Sequence, residues 1–88
     1  MGPVYALRVA NLEYRLEAHV AAANAAIAEL KASSGDPATI RRLYQHLGHA
    51  MDFAQAAGEA GLALREASLQ ELVDLLDEVR ILSFRYTR

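Results

Sequence analysis

The chain has 88 residues and a formal net charge of −2, so it is long enough for one domain at most, and we expect that domain to span residues 1–88. It contains no cysteine, which excludes disulfides, thiolate metal sites and cysteine nucleophiles. The slightly acidic balance argues against wholesale nucleic-acid binding but is compatible with a local basic patch.

The first predicted element is a long helix over residues 4–33. Alanine fills most positions beside its apolar residues, so the backbone of another helix can approach closely. Residues 12–20 also alternate apolar and polar, as in a half-buried strand. We favour a helix, because the alternation runs into an alanine block without a turn and alanine is a poor strand former. The apolar residues recur every three or four positions, which places them on one helical face: Leu12, Leu16, Val20, Ala23, Ile27 and Leu30.

A sharp break follows at residues 33–37. Gly35 can end a helix in the left-handed conformation, Asp36 can cap the next helix, and Pro37 suits its first position. The second predicted helix spans residues 37–58, with apolar residues again at helical spacing. Gly58 and Gly61 then predict a softer break.

The third predicted helix spans residues 68–83. Ser68 and Glu71 have the capping-box spacing in front of an apolar run, so residues 62–67 are read as a linker. Residues 82–86 alternate apolar and polar, which leaves a short strand open there. The fold predicted is an all-α antiparallel three-helix bundle with a long first helix. The alternative is an α+β fold with short strands at the termini.

The small core predicts self-association. Alanine dominates the apolar fraction of 53% and buries little area, so a monomer of this size would be marginally stable. We therefore expect a homo-oligomer or a protein partner, contacted by the first helix and by the apolar C-terminal segment. The predicted interface residues are Leu12, Leu16, Val20, Ala23, Ile27, Leu82, Phe84 and Tyr86.

Basic residues predict a second surface. In an up-down-up bundle the end of the first helix, the start of the second and the end of the third lie together. A cluster of cations there could bind a phosphate or a nucleic-acid backbone. Cations near helix C-termini also have a simpler explanation, since they complement the helix dipole. We name this group the basic pole: Lys31, Arg41, Arg42, Arg80, Arg85 and Arg88.

Three histidines are the candidate metal ligands. His19 on the first helix is predicted to lie level with His46 and His49 on the second, which share a helix face at a spacing of three. Three imidazoles at one height could hold a transition metal. No HExxH or ExxH motif accompanies them, and surface histidines are the plainer interpretation.

Catalytic motifs are absent from the sequence. It contains no GxSxG, P-loop or GxGxxG pattern, and no cofactor is indicated. The function predicted is a non-catalytic protein–protein interaction module of the adaptor, chaperone or inhibitor type. Anion or nucleic-acid binding is the second hypothesis and a histidine metal site the third. With no membrane-length apolar run and no signal-peptide pattern at Met1-Gly2-Pro3, we expect a cytoplasmic protein.

Overall fold

The computed structural model describes residues 3–32 and 35–86, with side chains described over 4–32 and 35–82. It contains three helices, α1 (Pro3–Ala32), α2 (Pro37–Glu59) and α3 (Glu66–Tyr86). The all-α prediction with a long first helix is confirmed. The strand alternative is wrong over the described residues, because residues 12–20 and 82–86 are both helical.

The turn between α1 and α2 has the chemistry that its residues predict. Gly35 has a φ of +74°, a left-handed conformation that costs glycine little. Asp36 is the N-cap of α2, and its carboxylate accepts a hydrogen bond of 3.0 Å from the Ala38 backbone N–H. Pro37 follows in the first turn of α2, where its missing N–H costs nothing. The turn therefore reverses the chain and makes α1 and α2 an antiparallel pair.

Helix α2 ends in a Schellman motif. Gly61 has a φ of +68°. The Leu62 N–H donates to the Ala57 carbonyl at 2.8 Å and the Gly61 N–H to the Gly58 carbonyl at 3.2 Å. Leu62 and Ala57 are both buried, so this turn brings two apolar side chains out of contact with water.

Helix α3 begins at Glu66, two residues before the predicted start. Ser68 is not its N-cap, because the side chain is buried and its Oγ has no hydrogen-bond partner among the described residues. The Arg65 carbonyl instead accepts from the Ser68 and Leu69 N–H groups at 3.1 and 3.2 Å. Arg65 is itself held on α1, since its backbone N–H donates to the Glu13 carboxylate and its guanidinium to Glu17, both at 2.6 Å. These contacts fix the start of α3 earlier than the Ser-to-Glu spacing predicted.

Helix α1 is the element against which the other two pack. Its contact with α2 is the most extensive, its contact with α3 is smaller, and α2 and α3 touch each other least. The molecule is elongated, 49 Å long and 18 Å across. No helix is long and apolar enough, over the residues described, to cross a membrane. The core consists of one face of α1 against the apolar faces of α2 and α3: Leu16, Val20, Ala23, Ala26, Ile27, Leu30, Leu43, Leu47, Ala50, Leu72, Leu75, Val79 and Leu82.

Leu75 on α3 is 1% exposed and belongs to this core. We expect Leu75→Ala to lower the free energy of unfolding by about 2–5 kcal/mol, because it removes buried methyl groups and leaves a cavity. Urea unfolding followed by circular dichroism measures this loss. Ile81→Ala is the matched control, since Ile81 on the same helix is 52% exposed, and its loss should stay below about 1 kcal/mol. Equal losses in the two variants would contradict this description of the core.

Candidate functional site

The structure places most of the predicted interface residues inside the chain's own core. Leu16, Val20, Ala23, Ile27 and Leu82 are all buried, so a partner cannot reach them while this fold is intact. Leu12 is half-buried. The side chains of Phe84 and Tyr86 lie outside the described residues. The apolar face of α1 that was predicted to contact a partner is therefore the face that packs against α2 and α3.

A different face of α1 is available to a partner. It consists of eight exposed residues whose spacings alternate between three and four along the whole helix. At 100° per residue these positions lie opposite the core-facing residues. We call this set the outer face: Val4, Leu7, Asn11, Tyr14, Ala18, Ala21, Ala25 and Ala28.

The outer face carries no charged residue. Its three large apolar side chains are well exposed, Val4 and Leu7 at 69% and Tyr14 at 74%. The apolar residues of α1 are thus spread around the helix axis, whereas those of α2 are concentrated on one side. Sequence reasoning missed this surface because it followed the stripe richest in leucine. The alternating three-and-four spacing from Val4 onward was the signal that could have found it.

The basic pole is largely matched by carboxylates. Lys31 Nζ lies 2.5 Å from the Glu78 carboxylate, and Arg42 Nη2 lies 2.6 Å from that of Glu29. Arg80 lies 3.8 Å from Asp77 on its own helix. These ion pairs are exposed and add little stability. Each one nevertheless places a carboxylate beside a cation, which makes that cation less available to bind an anion. Arg41 is also exposed, and the side chains of Arg85 and Arg88 lie outside the described residues.

The three histidines do come together between α1 and α2. His19 Nδ1 and His46 Nδ1 are 2.9 Å apart, a hydrogen bond in which one ring donates and the other accepts. The His19 ring also stacks on His49, with centroids 4.9 Å apart, and on Phe53, with centroids 5.7 Å apart. Arg15 lies over the Phe53 ring, and its Cζ is 5.8 Å from the centre of that ring.

This histidine cluster, formed by His19, His46 and His49, is not arranged as a three-ligand metal site. A metal ion binds in the plane of each imidazole, at a nitrogen lone pair. The rings of His19 and His49 are stacked with an interplanar angle of 29°, so their lone pairs run side by side instead of meeting at one point. No set of three histidine, aspartate or glutamate side chains in the described part of the chain could hold a metal ion.

The arrangement does affect protonation. Burial, followed by the charges of His46 and His49, lowers the pKa of His19 below its ordinary value of 6.5. In the hydrogen bond between His19 and His46, one of the two Nδ1 atoms must be unprotonated in order to accept. The cluster therefore favours neutral His19 in the folded chain.

Comparison of the chain with models of known protein families, with curated proteins and with solved structures found no match. The function must therefore be argued from the surfaces of the molecule itself.

The lowered pKa of His19 predicts a loss of stability in mild acid. As pH falls through 6.5, His19 becomes protonated in the unfolded chain but stays neutral in the folded chain. The free energy of unfolding therefore decreases until the pH drops below the folded-state pKa of His19. Urea unfolding between about pH 7.5 and 5.5 measures this slope. His19→Gln should flatten it, and His49→Gln, at the more exposed end of the stack, should flatten it less. A His19→Gln variant that keeps the full slope would show that another group is responsible.

Proposed function

We propose that this chain is a non-catalytic protein–protein interaction module, of the adaptor, chaperone or inhibitor type, and that the outer face of α1 is its contact surface. The observation that carries the proposal is the strip of exposed, uncharged residues along a helix whose opposite side already forms the core. A helix that is apolar on two opposite sides is suited to be packed on both.

The extent of the outer face supports this proposal. From Val4 to Ala28 it runs about 36 Å at 1.5 Å per residue, most of the 49 Å length of the molecule. Single exposed apolar residues are common, but a contiguous apolar patch is typical of an interaction surface, and every outer-face residue except Asn11 is apolar. By contrast, the basic pole is offset by Glu29, Asp77 and Glu78, so the balance of charge favours a protein partner over an anion.

Cysteine labelling tests the proposal without knowing the partner, because the natural chain has no cysteine. Ala25→Cys places a thiol on the outer face, and Ala56→Cys places one at an exposed alanine of α2. If the outer face is a contact surface, the thiol at position 25 reacts several-fold more slowly with maleimide in an extract of the source organism than in dilute purified protein.

The thiol at position 56 should react at the same rate in both solutions. Equal rates at position 25 in extract, in concentrated purified protein and in dilute purified protein would overturn the proposal. Slowing at both positions would indicate general shielding by the extract and would count against a specific surface.

A further inference from the structure

We infer that the occupant of the outer face is the same face of a second copy of this chain, with the two α1 helices antiparallel. This inference rests on the proposed function and adds the partner and its register. It pairs Val4 with Ala28, Leu7 with Ala25, Asn11 with Ala21 and Tyr14 with Ala18 of the second copy.

The order of side-chain sizes along the outer face carries the inference. The four positions in the first half of α1 are large (Val4, Leu7, Asn11 and Tyr14). The four positions in the second half are all alanine. The surface is thus bulky at one end and thin at the other, and it has no charge at any of the eight positions.

Only the antiparallel orientation fits this surface to itself at a constant spacing. The distance between packed helix axes depends on the side chains at the contact. A parallel pair would set large residues against large ones at one end and alanine against alanine at the other, so the axes would have to diverge. In the antiparallel pair every layer holds one large side chain and one alanine. Such a contact is isologous, and it closes as a two-fold dimer.

The spacing of the outer face favours another helix as the occupant. Alternating steps of three and four average 3.5 residues per turn, the repeat that keeps an apolar seam facing a partner helix in a left-handed coiled coil. Because the core-facing residues lie on the opposite side of α1, helix α2 of each copy lies away from the seam, and α3 borders the seam only near Ala28, which lines a groove beside Asp74 and Glu78. Two copies can therefore meet along α1 without rearranging their bundles.

The area of this contact places it in the class of transient interfaces. A strip about 36 Å long and about 11 Å wide covers roughly 400 Å² on each copy, or about 800 Å² in all. This lies below the size of standard stable interfaces and within the range of transient ones. A contact of this size class is typical of a reversible dimer that forms in concentrated solution and dissociates on dilution.

Disulfide cross-linking between two single-cysteine variants tests the register. A disulfide requires Cα atoms within about 7 Å of each other. In the antiparallel dimer, position 7 of one copy lies beside position 25 of the other. The two copies of position 7 lie about 27 Å apart along the axis. Mild oxidation of Leu7→Cys mixed with Ala25→Cys should give a cross-linked heterodimer several-fold faster than either variant alone.

A mixture of Leu7→Cys with Ala56→Cys gives the rate of random collision. Two results would overturn the inference: faster cross-linking of each variant with itself, which indicates a parallel pair, or a rate in the Leu7→Cys and Ala25→Cys mixture no higher than the collision rate. If Leu7→Cys fails to fold, Val4→Cys with Ala28→Cys tests the same register. Protection of position 25 in extract without cross-linking of pure protein would refute the second copy and leave the proposed function standing.

Discussion

The packing of α2 and α3 against one side of α1 is the interaction on which the rest of the structure depends. The two later helices touch each other little, so α1 supplies the surface that both of them bury. Leu16 and Ala23 of α1 are fully buried at this contact. Because one side of a single helix holds the molecule together, the opposite side remains exposed along its whole length. The geometry of the core thus creates the candidate interaction surface.

Polar contacts set where the two later helices lie on α1. The cap at Asp36 starts α2 directly after the turn, and the hydrogen bond between His19 and His46 joins the middle of the α1–α2 pair. At the other end Arg65 reaches Glu13 and Glu17 and fixes where α3 begins. A proton on His19 would weaken the contact between α1 and α2. Mild acid is therefore expected to lower the stability of the core.

Local signals in the sequence predicted the helices and the first turn, since Gly35, Asp36 and Pro37 act through their own backbone preferences. The predicted start of α3 at Ser68 was wrong, because the spacing of a capping box carries no information on burial. The tertiary contacts of Arg65 determine where α3 begins. The proximity of the three histidines followed from helix rise, but the stacking of their rings depends on side-chain packing with Phe53. Periodicity identified the apolar stripe of α1 and could not tell whether it faced the chain itself or a partner.

In the proposed dimer, α1 is buried on one side by its own chain and on the other by a second copy. Sedimentation equilibrium of the natural chain over a range of concentrations distinguishes this dimer from a monomer. We expect a mass near 9.6 kDa in dilute solution that rises toward twice that value, and an Ala21→Glu variant that stays monomeric because a charge in the seam cannot be buried unpaired. A mass of 9.6 kDa for the natural chain at every concentration would contradict the proposed dimer.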